Sequence, residues 1–182
     1  MTKTPPLPNK RYSIIYADPP WNFRTWSKKG KGRSAERHYH VPTLRELKEI
    51  PVQDIVEKDC ALFMWATYPN LLQALELMES WQFTYRTFAF TWVKKNKKSD
   101  GFFTGLGYWT RANPEPCLFG TIGKPKRIRK DVRNLVIRRV GRHSEKPDEV
   151  RTMIVDLMGD LPRIELFARQ KVPGWDAWGL EV

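Results

Sequence analysis

The sequence predicts an α/β fold in a single domain, a sheet with helices on both faces. Two observations carry this reading. Apolar runs of strand length at 12–17, 60–66 and 117–122 alternate with segments whose apolar residues recur at helical spacing. No internal repeat or linker divides the 182 residues, a length that suits one domain with a sizeable core.

The elements follow in order. Residues 1–10 carry three prolines and read as a flexible arm without an apolar signal core. Tyr12 to Ala17 reads as a buried strand that the prolines of Asp18-Pro19-Pro20-Trp21 must stop, leaving Asp18 at its carboxyl end. Residues 24–37 form a loop with little to bury. Thr43 and Glu46 have capping-box spacing and open a short helix. The run 60–66 is a strand covered on both faces, and Pro69 sits in the first turn of a helix whose Leu71, Leu75 and Met78 share a face. Strands are expected at 83–93, 117–122 and 134–138. Residues 147–158 are amphipathic, with Gly159 placed to end the helix. A final strand at 163–168 is followed by an aromatic tail.

Charge narrows the function. Lys and Arg total 32 against 20 acidic residues, a formal charge of +12. Such an excess suits a polyanionic partner, because each neutralised phosphate releases counterions; the alternative is charge that only aids solubility. Two blocks concentrate it. Lys28, Lys29, Lys31 and Arg33, with Arg24 and Arg37, directly follow the Asp18 motif, where they would track a phosphate backbone. Lys124, Lys126, Arg127, Arg129, Lys130 and Arg133 fall between two strands. Cys60 and Cys117 lie in no C-x-x-C pattern, and no apolar run reaches membrane-spanning length. The expectation is a soluble, cytoplasmic protein with reduced thiols. His38 and His40 have no evident third ligand, so no metal is assigned.

Asp18-Pro19-Pro20-Trp21 is the sharpest chemical feature. A carboxylate and a proline carbonyl accepting the two hydrogens of an aromatic amine would leave the nitrogen lone pair free, and a tryptophan would stack on the base. The alternative is a Pro-Pro turn with an Asp cap and a core Trp.

With this motif stand Leu62-Phe-Met-Trp65, Trp92-Val-Lys94, Gly107-Tyr-Trp-Thr-Arg111, His143-Ser-Glu-Lys-Pro-Asp-Glu149 and Glu165-Leu-Phe-Ala-Arg169 before Gly174-Trp175. In this order the six resemble the DPPW-type adenine-N6 methyltransferases, the family of the eukaryotic messenger-RNA adenosine methyltransferase catalytic subunit, and within it the small bacterial and phage members that act on DNA. The likeness runs from Tyr12 to Trp178. It implies a Rossmann-like fold, circularly permuted, using S-adenosyl-L-methionine to methylate adenine N6 in DNA. RNA as substrate, or a non-catalytic nucleic-acid-binding subunit, are the alternatives, and a homodimer is plausible by analogy.

Residue by residue, the resemblance implies a catalytic Asp18, Pro19, Pro20 and Trp21. Asp18 and Lys146 would face the methionine end of the cofactor, with Glu165, Leu166, Phe167, Arg169 and Glu181 around its adenosine. Glu115 would lie near the target and orient Lys146, and Tyr39 would cover the target base. Bland alternatives are a solvated Lys146 at a helix start, where the dipole disfavours it, and surface ion pairs for Glu115 and Arg169. Trp65, Trp81 and Trp92 read as core. The sequence departs from the pattern at Leu180, where relatives commonly carry an Asn that hydrogen-bonds the cofactor.

Overall fold

The computed structural model describes residues 5–21, 42–107, 109–141 and 145–182. Strand β1 is Tyr12–Ala17, β2 is Val56–Trp65, β3 is Thr84–Lys95, β4 is Glu115–Ile122, β5 is Leu135–Arg139, β6 is Arg163–Leu166 and β7 is Asp176–Trp178. The α-helices among the described residues are α1 Leu44–Lys48, α2 Leu71–Ser80 and α3 Glu149–Met158, with short 3-10 turns at Val52–Ile55 and Tyr68–Asn70.

One sheet holds all seven strands, in the order β5-β3-β4-β2-β1-β6-β7. β1 is parallel to β2 and β6, and β6 to β7. β4 runs antiparallel to both β2 and β3, which returns β3 and its parallel neighbour β5 to the direction of β1. Six strands therefore end at one edge of the sheet, and β4 begins there. At β1 the strand order reverses, with β2 on one side and β6 on the other, which is where open α/β sheets form a ligand crevice beyond their carboxyl ends.

Alternation along the strands divides the core. Ile15, Ala17, Leu62, Met64 and Leu118 pack with Leu47 of α1 and Ala74, Leu77 and Met78 of α2. Ile14, Tyr16, Ala61, Phe63, Trp65 and Cys117 pack on the other face with Val150, Ile154 and Met158 of α3. The buried face of α2 centres on Ala74 and Leu77, and Leu71 and Leu75 lie at its border. Gly120 is the contact point with this helix, because a Cβ there would come within 2.6 Å of Met78 Sδ.

Local chemistry sets the helix ends as the sequence predicts. Thr43 and Glu46 complete a reciprocal capping box on α1. Pro69 lies in the turn that leads into α2, and Gly159, at φ 93°, closes α3 by donating to the Val155 carbonyl.

Two expectations are corrected, at the tail and at the N-terminal arm. The aromatic tail contains β7, a strand too short and too mixed in polarity to show a period, so β6 is not the last strand. As expected, β3, β4 and β5 follow one another with no helix between them among the described residues, and the antiparallel β4 makes the sheet mixed. The N-terminal arm is not free from residue 5 onward: the Trp178 indole donates to the Pro5 carbonyl, Leu7 packs on the core, and Lys10 pairs with Asp176. Its prolines stiffen the chain, so fastening it costs little entropy.

Candidate active site

The carboxyl edge brings together four charged side chains from four segments. Asp18 leaves β1, Glu115 opens β4, Lys94 lies near the end of β3, and Lys146 precedes α3. Lys146 Nζ donates to Asp18 Oδ2 at 2.8 Å and lies 2.9 Å from Glu115 Oε1. Glu115 Oε2 is 2.7 Å from Lys94 Nζ. The result is one alternating chain: Asp18, Lys146, Glu115, Lys94. Glu115 reaches this edge because β4 runs against its neighbours and presents its first residue where they present their last.

Aromatic rings floor the chain. Lys146 Nζ sits 5.7 Å from the Trp65 ring centroid and Lys94 Nζ 4.8 Å from that of Trp92. These indoles meet edge to face at 6.5 Å, and Trp65 donates to the Tyr16 hydroxyl at 2.6 Å. Trp65, Trp81 and Trp92 are core residues.

The two carboxyls titrate in opposite directions. Burial raises the Asp18 pKa; Lys146 offsets this only in part, and Glu115 adds to the rise. Burial also pushes Glu115 upward, but its two lysines outweigh that and hold it below the usual range. For Lys146 burial works against the charge, yet Asp18 and Glu115 overcome it and raise the ammonium's pKa. Its side chain is 8% exposed, so this is no solvated lysine, whereas Asp18 keeps 20% of its side-chain surface open.

The remaining expected residues spread more widely. Trp21 is 7% exposed, packs in the core and donates its indole N–H to the Trp65 carbonyl at 2.9 Å, so here it fastens the Pro-Pro turn and does not present a stacking face. Pro19 is buried and Pro20 partly so. Glu165 lies under α3, where both its oxygens accept from Arg151 at 2.7 and 2.8 Å. Leu166 is fully buried, and its carbonyl accepts from the Asp18 N–H. Phe167 follows β6 with φ 62°, its ring 5.5 Å from Trp178 and packed against the core. A positive φ is unusual outside glycine and marks a backbone held by its surroundings. Arg169 bears electrostatically on Asp18 and lies 3.8 Å from Glu181. Leu180 is 60% exposed. Tyr39, Lys28, Lys29, Lys31, Arg33, His38 and His40 lie outside the described residues.

Lys94 is the site residue that reading for catalytic motifs missed. The signal was its place in Trp92-Val-Lys94, where period two sets Lys94 on the same face as buried Trp92. Asn113 secures it, pairing with both the N–H and the carbonyl of Lys94 at 2.9 Å. Cys60 and Cys117 are buried free thiols. Among the described residues no group of three or more His, Cys, Asp or Glu side chains could hold a metal, and no helix is long and apolar enough to cross a membrane.

A mixed sheet with a charged cluster at its topological switch is consistent with the α/β methyltransferase fold. The family model described as MT-A70 matches residues 12–181, and the chain belongs to that family of methyltransferases. It is 38% identical to the Type II methyltransferase M.MunI of a Mycoplasma species, across 98% of this chain and 81% of that protein. It is 28% identical to the human N(6)-adenosine-methyltransferase catalytic subunit METTL3 over 93% of this chain, and 29% identical to the Arabidopsis thaliana N(6)-adenosine-methyltransferase MT-A70-like over 87%. Those alignments span only 28% and 22% of the longer eukaryotic proteins.

Proposed function

We propose that this methyltransferase transfers a methyl group from S-adenosyl-L-methionine to the N6 amine of adenine in DNA, in the cytoplasm. The observation that carries the reading is Asp18, partly open at the carboxyl end of β1 and held by buried Lys146. The greater identity to the Type II methyltransferase M.MunI than to the adenosine methyltransferases supports DNA over RNA.

The donor set fits the cofactor. An amino-acid end needs both signs of charge, and Asp18 and Lys146 supply them side by side. Phe167, Arg169 and Glu181 would receive the adenosine beyond β6. When bound, S-adenosyl-L-methionine supplies an electrophilic methyl group on a sulfonium centre.

The protein's part is positioning. The Asp18 carboxylate accepts one hydrogen of the adenine amine and the Pro19 carbonyl accepts the other, which frees the nitrogen lone pair. Lys146 orients Asp18 and favours its ionised form, and Glu115 and Lys94 hold Lys146 in place. Trp21 anchors the turn that carries both acceptors. The proton that the amine sheds leaves through Asp18 to water.

Labelled-methyl transfer to matched DNA and RNA oligonucleotides, single- and double-stranded, followed by nucleoside analysis, tests this directly. N6-methyladenine in DNA is expected. Label found only in RNA would reassign the substrate, and failure to bind S-adenosyl-L-methionine in calorimetry would make the chain a non-catalytic partner.

A further inference from the structure

β3 and β4 are joined by an arm, residues 96–114, whose described residues are held by specific contacts. Lys95 bridges Phe102 and Gly105 bridges Ala112 in antiparallel fashion. The Asn113 amide also donates to the Phe103 carbonyl, and Phe103 N–H donates to the Lys94 carbonyl at 2.8 Å. Arg139 of β5 pins the turn through the Asn96 and Ser99 carbonyls and the Asp100 carboxylate. Gly105 and Gly107 make the close pairing possible, because a Cβ would meet the Ala112 carbonyl at 2.9 Å and the Thr110 carbonyl at 1.9 Å.

This arm holds large apolar side chains in solvent. Phe102 is 59% exposed, Leu106 65% and Trp109 93%. A concavity of about 320 Å³ opens against it, lined by Phe102, Phe103, Arg111, Asn113 and Pro114. Large apolar side chains left exposed on one arm, beside a concavity, mark a binding site. The charges around it choose the occupant. Lys97, Lys98 and Arg111 are exposed cations, and the neighbouring acid Asp100 is occupied by Arg139. A second copy of a chain with charge +12 would bring like charge to this surface. Aromatic faces interleaved with cations suit a nucleic acid strand, whose bases stack while its phosphates pair.

The arm rises from Lys94 and runs into Glu115, both members of the charged chain beside Asp18. We propose that it is the flank-reading element of the enzyme: Phe102 and Trp109 stack the nucleotides next to the target adenine, and Arg111 holds their phosphate. This rests on the reading that the substrate is a nucleic acid. A stacked neighbour would keep the strand in register while the target base lies at Asp18, so the arm contributes to substrate binding and not to the chemical step.

The test is a double variant, Phe102→Ala with Trp109→Ala, measured beside Trp109→Phe and Arg111→Ala. Binding of a fluorescent DNA oligonucleotide is followed by anisotropy, and methyl transfer by kcat and KM. The double variant is expected to weaken binding and raise KM roughly 30-fold or more with kcat held within about twofold. Trp109→Phe retains most of the affinity, and melting is unchanged because both side chains are exposed. Replacing the flanking bases by abasic residues should weaken wild-type binding similarly and add nothing to the double variant. Unchanged affinity in the double variant overturns the proposal. So does a shift from dimer to monomer in sedimentation that accounts for the loss, since the arm would then be a contact between chains. A wild-type enzyme that methylates no oligonucleotide refutes the proposed function, and the binding isotherms still decide the arm's role.

Discussion

Two buried charge clusters lie on the α3 face of the sheet, on either side of Tyr16, and they are built on different terms. Arg151 and Glu165 form a closed pair, both carboxylate oxygens met by one guanidinium, which also pairs with Asp148 and stacks 5.7 Å from the Tyr16 ring. Asp18, Lys146, Glu115 and Lys94 form an open chain whose first member keeps surface free and a raised pKa. The pair has nothing left to offer a ligand. Asp18 does, and a carboxyl whose ionisation is resisted by burial is poised to take a new donor. Closure marks a structural cluster and incompleteness marks a functional one.

Removing Asp18 should break the comparison most sharply. Asp18→Ala is expected to lower methyl transfer by at least about 100-fold, the scale of losing a preorganised polar contact to the reacting group. Thermal melting should stay near wild type, since the buried Lys146 keeps Glu115. Wild-type turnover in a transfer assay would remove Asp18 from the site.

Arg151→Ala should do the reverse. Stranding Glu165 beneath α3 costs about 3–5 kcal/mol of stability by denaturant unfolding. Arg151→Met with Glu165→Leu should restore most of it, with methyl transfer retained. If the stable double variant fails to bind S-adenosyl-L-methionine, Glu165 contacts the cofactor after all.

A smaller effect separates the two carboxyls of the open chain. As pH falls, Asp18 protonates first, because its pKa is raised while that of Glu115 is lowered. The acid limb of kcat/KM is therefore set by Asp18 and lies above the ordinary carboxyl range. For stability the signs differ: the Glu115 contribution is present above its unfolded pKa and lost as pH falls through its lower folded value. Ionising Asp18 costs stability as pH rises through the window between its ordinary and raised values. Lys94→Ala removes one of the cations that depress Glu115 and should raise its pKa, bringing a second ionisation into the acid limb and reducing kcat about tenfold. Lys94→Arg should restore the profile. An unshifted limb would leave Lys94 a packing residue only.

The smallest effect concerns the crevice beyond β6. Leu180 is exposed beside Glu181, so Leu180→Asn costs little packing and adds hydrogen-bonding capacity toward an adenosine. Cofactor binding should tighten roughly threefold to tenfold, the scale of one net hydrogen bond. A titration without gain would mean that the tail docks differently.

Much of this was legible in the residues. Strand positions follow from apolar runs, both marked helix ends from Thr43 with Glu46 and from Gly159, and the catalytic turn from two adjacent prolines. The Glu115–Lys146 contact was expected from resemblance alone. Lys94 escapes a sequence reading because a lysine ending a strand reads as a solvated terminus, and Glu165, placed near the cofactor by resemblance, pairs with Arg151 because a four-residue strand does not show which face its acid takes.

What the sequence by itself determined is the local elements except β7, the Asp-Pro-Pro-Trp exit from β1 and the family. What only the tertiary structure decided is which charges meet. Asp18 and Lys146 lie 128 positions apart, and Lys94 and Glu115 belong to strands of opposite direction. Periodicity records the face on which a side chain lies, but strand order and direction arise from packing the whole sheet. The reversal of β4 sets Glu115 between two lysines, and that one choice of direction turns four scattered charges into a site.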